Sequence, residues 1–191
     1  MKSNLDSPST PATGGLPASG GVRVWDLVVR VSHACVAVLV LTNYLRDDGD
    51  ELHRLIGYAA ASAVGIRLVW ALFSAGHGGL RSLWPSWRAT WAYLRQGAPR
   101  CVGHDPLGLW MVWLLWALVL GLALTGWMSR LDAFWGDDRI TELHEWLANG
   151  LIVAAGIHVG GVVAMSWRWK ENLARAMVTG MKRTDDVPSR P

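Results

Sequence analysis

The sequence is poor in cysteine and in charged residues, and it has little phenylalanine or tyrosine. Two cysteines in 191 residues are too few for a disulfide scaffold or a thiolate metal cluster. Charged residues make up 17%, where soluble domains have nearer a quarter. The aromatic residues are 13 Trp, 3 Tyr and 2 Phe. With 51% hydrophobic residues the chain is too apolar to be disordered, and its pI of about 9.2 suggests nucleic acid or an anionic membrane surface as a partner.

The hydrophobic residues are concentrated in four segments, although the mean hydropathy is only +0.22. Each segment is close to the roughly 20 residues that a helix needs to cross a bilayer. A soluble protein of this size could not bury four such segments. The sequence therefore predicts an all-α fold, a bundle of four transmembrane helices. These apolar segments cover residues 27–45, 52–73, 107–128 and 143–165.

The charges between the segments predict the orientation of the bundle. Residues 74–106 hold four arginines and residues 166–191 hold six basic residues, whereas the connections after the first and third segments are acidic. By the positive-inside rule, both termini are predicted to be cytoplasmic. The basic pI is then explained by the basic segments on the cytoplasmic side of the membrane. Nucleic acid is therefore excluded as a partner. The domain prediction is a disordered tail at 1–22, which is not a cleaved signal peptide, a bundle domain at 23–183 and a C-terminal tail at 184–191.

Two segments outside the bundle have an amphipathic pattern. In the 74–106 connection, Trp84, Trp87, Trp91 and Leu94 recur at helical spacing, and arginines seven residues apart lie on another side. This pattern predicts a short helix on the cytoplasmic face of the membrane. Residues 167–183 are predicted to form a second such helix.

Four of the six histidines lie within the apolar segments, where ionisable side chains are costly and usually functional. Helix direction places His53 and His144 near the outer surface, and His33 and His158 at a matched depth near the inner surface. His144 and His158 are fourteen residues apart, so they share one helix face and lie roughly 21 Å apart along the axis. Two depth-matched pairs predict two bis-histidine haems. His77 and His104 fall in the cytoplasmic connection.

Two arginines near the inner pair are candidates to bind haem propionates. Arg67 lies fourteen residues after His53 and at the depth of the inner pair, and for this residue a structural role is equally open. Arg30 lies one turn before His33, and snorkelling to the interface is the first explanation for it. A single membrane histidine often serves only as a helix–helix hydrogen-bonding group. Four in matched pairs are harder to explain in this way.

Other residues admit simpler explanations. Glycines of the second and fourth segments leave room for a flat macrocycle or for close helix packing of the GxxxG type. Cys35 and Cys101 are predicted to be inert, and there is no CxxCH motif for covalent haem attachment. Five tryptophans near segment ends are predicted to be interface anchors: Trp25, Trp70, Trp127, Trp146 and Trp167.

The sequence resembles the prokaryotic cytochrome b561 family, which includes the b-type cytochrome subunits of nickel–iron hydrogenases. The resemblance implies a four-helix di-haem electron carrier of the bacterial inner membrane, with His33, His53, His144 and His158 as ligands. Ser-His-Ala at 32–34 departs from members that have Trp after His, and GHDPLG has Asp105 where a family pattern has Asn. The matching stretches are VRVWDLVVRVSHACVAVLVL at 22–41, HRLIGYAAASAVGIRLVWALF at 53–73, GHDPLGLWMVWLLWALVLGLALTGWM at 103–128, and ELHEWLANGLIVAAGIHVGGVVAMSWRWKENLARAMVTGMKR at 142–183.

The predicted function is a b-type cytochrome with two non-covalent haems. It would carry electrons across the inner membrane between a periplasmic redox partner and the quinone pool or another partner, in either direction. One alternative is a subunit that anchors a hydrogenase or another dehydrogenase. The others are a transition-metal transporter and a membrane anchor without functional cofactors. The sequence leaves open the partner, which could be a periplasmic cytochrome, and the formation of a homodimer.

Overall fold

A computed structural model describes residues 21–46, 49–74, 78–101, 103 and 105–183. Of the predicted tails, residues 1–20 and 184–191 lie outside the described residues, as do His77 and His104. The described residues form seven α-helices and two short strands. In chain order these are β1 (Gly21–Arg23), α1 (Leu27–Leu45), α2 (Glu51–Phe73), α3 (Leu80–Leu83), α4 (Trp87–Arg95), α5 (Pro106–Met128), α6 (Asp138–Arg168), α7 (Leu173–Thr179) and β2 (Met181–Arg183).

Four of the helices, α1, α2, α5 and α6, are long and apolar enough to span a membrane. The predicted four-helix membrane architecture is confirmed at this level, and the bounds of the first three spans agree with the prediction to within one residue. The fourth is longer, with 31 residues, because helix formation continues into polar residues on both sides of the apolar core. Each span begins at an aspartate whose side chain accepts a backbone N–H of the first turn, a favourable N-cap. These aspartates are Asp26, Asp50, Asp105 and Asp137.

The spans pack in chain order, α1 on α2, α2 on α5 and α5 on α6, whereas α6 is set apart from α1 and α2. A buried apolar cluster at mid-depth joins three of the helices through Ala60, Val64, Val119 and Leu151. We call the end of the bundle with the strands and the short helices the ribbon end. The opposite end, with the connections 46–50 and 129–137, is the far end.

The ribbon end is closed by an antiparallel pair in which Gly21 opposes Arg183 and Arg23 opposes Met181. This pair of strands, the ribbon, therefore includes residues 21 and 22, the last two residues of the predicted N-terminal tail. Beside it, Glu171 accepts hydrogen bonds from the Arg100 guanidinium and the Arg183 backbone amide. Burial alone would raise the pKa of Glu171, but these hydrogen bonds and the charge of Arg100 lower it below its usual value.

The prediction of one helix over 167–183 is wrong. Helix α6 continues to Arg168, and Lys170 then adopts a left-handed conformation with φ 48° that ends the helical run. The Asn172 side chain starts α7 by accepting the Arg175 amide, and Gly180 ends it with φ 78° before the strand begins. In the other amphipathic segment, α4 starts only after the Ser86 N-cap. Trp84 lies outside that helix.

Candidate functional site

The structure brings together the two histidine pairs that the sequence predicted. At the ribbon end, the rings of His33 on α1 and His158 on α6 have centroids 6.2 Å apart. At the far end, the rings of His53 on α2 and His144 on α6 also have centroids 6.2 Å apart. Both pairs therefore bridge the space that separates α6 from α1 and α2. Helix α6 contributes one histidine to each pair.

The ring spacing can be compared with that of two imidazoles on one metal ion. A metal–nitrogen bond to histidine is about 2.0–2.1 Å, and the ring centre lies about 1.1 Å beyond the nitrogen. Two imidazoles on opposite sides of one ion would then have centroids roughly 6.2–6.4 Å apart. Both pairs have this spacing. The donor set, two imidazole nitrogens between apolar helices, fits a haem, and each pair of histidines would hold the iron of one.

Hydrogen bonds at the far-end pair leave one nitrogen of each ring available. Nδ1 of His53 lies 3.0 Å from the carbonyl oxygen of Arg46. Because a carbonyl only accepts, Nδ1 of His53 donates, and Nε2 keeps its lone pair. Nδ1 of His144 lies 2.8 Å from Oγ1 of Thr125, whose hydroxyl also reaches the Gly121 carbonyl at 2.9 Å. Because the Thr125 hydroxyl donates its proton to the Gly121 carbonyl, its oxygen can accept a hydrogen bond from Nδ1 of His144. This second contact holds the ring in the same tautomer.

Arg67 is the most buried cation of the bundle among the described residues, with 5% of its surface exposed. Its Nη2 donates to the Gly78 carbonyl at 2.9 Å, and its guanidinium lies 5.8 Å from the centre of the Trp116 ring. Its Nη1 is buried without a hydrogen-bond partner among the described residues. An unsatisfied cationic donor of this kind suits an anionic group of a bound cofactor.

Arg30 lies against the ribbon. A Cβ built on Gly180 would lie 3.3 Å from its Cδ and 3.4 Å from its Nη1. Nε of Arg30 is buried and has no hydrogen-bond partner within the described part of the chain. Its side chain thus reaches the ribbon end, one helical turn before His33, and either predicted role for it fits this position.

Comparison with protein families bears directly on these histidines. The family model for prokaryotic cytochrome b561 matches residues 24–180, which include all four. The chain belongs to the prokaryotic cytochrome b561 family. It is a b-type cytochrome with an electron-transfer role in a membrane, and the family implies binding of b-type haem. Among curated proteins, the sequence has no significant match.

Sequence reasoning missed Thr125 and the Arg46 carbonyl in this cytochrome. Thr125 is the only hydroxyl-bearing residue of α5 and is 4% exposed. A single threonine in a long apolar helix is a signal that could have identified it as a partner for a polar group. The carbonyl of Arg46 carries no such signal, because any residue would present the same oxygen.

The glycines of α2 and α6 divide into two groups. A Cβ built on Gly57 would lie 3.6 Å from the Asn43 side chain, and one built on Gly150 would lie 3.7 Å from the Leu118 side chain. Both distances are ordinary van der Waals contacts. At four others, a Cβ would meet no neighbouring atom within 4 Å among the described residues. These are Gly65, Gly156, Gly160 and Gly161. For Gly156 and Gly160, close packing against a described helix is therefore not the reason for glycine.

One predicted interface anchor is wrong. Trp25 is only 7% exposed, and it packs with Val24, Val29 and Met177 under the ribbon. The amino group of Lys182 lies 5.9 Å from the centre of its ring. The other four predicted anchors have exposed rings, as an interfacial position requires: Trp70, Trp127, Trp146 and Trp167.

Proposed function

We propose that this cytochrome holds two b-type haems and carries electrons across the bacterial inner membrane. His33 and His158 would hold one haem, and His53 and His144 the other. The observation that supports this proposal is the pair of 6.2 Å ring spacings at opposite ends of one bundle. When bound, a bis-histidine haem takes up and releases one electron as its iron changes oxidation state.

The protein's part is to present imidazole nitrogens to the haem iron, and at the far end hydrogen bonds fix their orientation. Thr125 and the Arg46 carbonyl orient the far-end rings with Nε2 free, which makes each nitrogen a better ligand. Between the two pairs lies the apolar cluster around Val64, which is fully buried. This cluster keeps water from the middle of the bundle. His144 and His158 lie roughly 21 Å apart along α6, by the rise of an α-helix.

Buried positive charge at the ribbon end would hold the acidic groups of a haem. Arg67 is fixed by the Gly78 carbonyl and the Trp116 ring, and its Nη1, which has no hydrogen-bond partner among the described residues, is available to a propionate. Arg30 is a second candidate, with its buried Nε. Among the described residues no atom lies within 4 Å of a Cβ built on Gly65, Gly156, Gly160 or Gly161, so these positions leave room for a macrocycle.

The charges suggest how the cytochrome is oriented and which partners it meets. We assign the basic ribbon end to the cytoplasm and the acidic far end to the periplasm, following the positive-inside rule. A periplasmic redox protein would then exchange electrons at the His53–His144 pair. Quinone or another acceptor would meet the His33–His158 pair. Where the periplasmic partner is a strong oxidant, electrons would flow in the opposite direction. A chain serving as the membrane subunit of a hydrogenase or another dehydrogenase would use the same two sites.

A spectrum of the purified full-length chain tests the proposal. We expect dithionite to produce a b-type α-band, and a pyridine haemochrome assay to give two haems per chain. An absent α-band would exclude haem binding. A ratio of one haem per chain would exclude the di-haem arrangement while leaving the family assignment intact.

A further inference from the structure

Helix α4 has one face that is held by the bundle and one that is not. Thr90 and Tyr93 are buried, with 6% and 5% exposure, whereas Trp87 and Trp91 are 73% and 53% exposed. The Thr90 hydroxyl accepts a hydrogen bond from the indole of Trp110 on α5, at 3.1 Å. The buried contacts fix the rotation of α4 about its axis. Its tryptophan face therefore stays largely exposed at the edge of the bundle.

This tryptophan face is continuous with the surface of a membrane span. The ring of Trp87 meets the ring of Trp110 edge-on, with centroids 6.3 Å apart. Trp110 is 42% exposed, and Leu114, one helical turn deeper on α5, is 47% exposed. An exposed apolar strip thus runs from α4 onto the first turns of α5, a helix that is apolar enough to enter the hydrocarbon of a bilayer.

Two arginines lie along the same helix. Arg88 and Arg95 are seven residues apart, so they fall on one side of α4, two turns apart. Both are exposed, and within the described residues neither forms a salt bridge to an acidic side chain. The Arg95 guanidinium lies 5.3 Å from the centre of the Trp91 ring. A shallow groove at this surface is lined by Trp87, Arg88, Trp91, Ala92, Arg95 and Gln96.

We infer that this groove binds an anionic phospholipid of the surrounding bilayer. Arg88 and Arg95 would hold the phosphate of the headgroup, and the strip over Trp110 and Leu114 would receive an acyl chain. Uncompensated positive charge beside an apolar strip that leads into a span fits an amphiphile with a negative head. A soluble protein partner could not contact the part of the strip that continues along α5 into the bilayer. The inference needs only that α5 spans the membrane, and it is independent of haem ligation.

The test measures lipid binding by the full-length chain with native mass spectrometry. Phosphatidylglycerol and phosphatidylcholine are titrated in parallel into the detergent-solubilised protein. Each basic side chain near an anionic surface contributes about a factor of five in affinity, so Arg88→Gln with Arg95→Gln is expected to weaken phosphatidylglycerol binding roughly thirty-fold. The matched control is Arg81→Gln with Arg175→Gln, which removes two exposed charges from the ribbon end outside the groove. It is expected to retain the affinity within about two-fold.

Several results would overturn the inference. Equal affinity of the wild-type chain for the two lipids would do so without any variant. So would an unchanged affinity after loss of Arg88 and Arg95, or an equal loss in the control. Displacement of the lipid by millimolar inorganic phosphate would identify an anion site instead of a lipid site. Circular dichroism of each variant, which reports helix content, separates loss of binding from loss of fold.

Discussion

At the scale of single residues, the far-end pair depends on which nitrogen of each ring carries the proton. Thr125 supplies the acceptor for Nδ1 of His144, so Thr125→Val removes the group that keeps Nε2 of that ring free to bind a haem. Loss of such a supporting hydrogen bond typically weakens metal binding by about 10–100-fold. We expect one of the two haems to transfer to apomyoglobin at least about ten times faster than in the wild type, with the other unchanged.

The control for this prediction is Thr42→Val. Thr42 lies on α1 with an exposed side chain, so the same chemical change there is expected to leave both transfer rates unaltered. Equal transfer rates for wild type and Thr125→Val would show that the hydroxyl does not orient the ligand.

Arg67 is expected to set the potential of the haem at the ribbon end. A buried positive charge favours the reduced state, so Arg67→Gln should lower one midpoint potential. The shift is expected to be on the order of tens of millivolts, since roughly 59 mV corresponds to about 1.4 kcal/mol for one electron. A spectroelectrochemical titration measures both potentials in one sample.

Arg67→Lys keeps the positive charge, so it is expected to leave the midpoint potential close to the wild-type value. Arg81→Gln, at an exposed position of the same end, is expected to change neither potential. If Arg67→Gln left both midpoints where they were, its charge would not act on a haem.

At the scale of elements, Gly180 joins α7 to the ribbon. It has φ 78°, and a Cβ at this position would lie 2.7 Å from the backbone oxygen of Trp25, which no side-chain movement can relieve. Alanine in a left-handed conformation costs about 1 kcal/mol, and overpacking adds about 1–3 kcal/mol. We expect Gly180→Ala to lower the free energy of unfolding in detergent by about 2–4 kcal/mol.

Gly136 provides a matched comparison, since it has φ 76° but no atom of the described residues lies within 4 Å of a Cβ built on it. Gly136→Ala is expected to lower the free energy of unfolding by about 1 kcal/mol, the cost of the left-handed conformation alone. Equal losses for the two variants would mean that the approach of Trp25 to Gly180 does not limit the substitution.

The elements differ in how well the sequence predicts them. Spans α1, α2 and α5 follow directly from hydropathy, because burial in lipid requires an uninterrupted apolar run. The ribbon could not be predicted, since its strands are three residues long and are separated in sequence by the whole bundle. The prediction of a helix over 167–183 was wrong because Lys170, Asn172 and Gly180 end or start helices within that range. A hydrophobic pattern alone does not show where such residues interrupt a helix.

At the scale of the whole molecule, α6 is the shared element of both histidine pairs. It packs on α5 and faces α1 and α2 across a space that the rings bridge. Helical geometry made the pairing of His144 and His158 with partners at two depths predictable from the sequence. The hydrogen bonds to Thr125 and Arg46 depend on how the helices pack, so they required the structure.

The central claim is that each histidine pair holds its own haem. The most direct measurement is the haem-to-protein ratio of His33→Ala and His53→Ala, compared with wild type. We predict two haems for wild type, one for each single variant, and none for the double variant. His77→Ala and His104→Ala, in the connection between α2 and α5, serve as controls and should keep two. A single variant that retains both haems, or a double variant that retains one, would contradict the assignment of ligands.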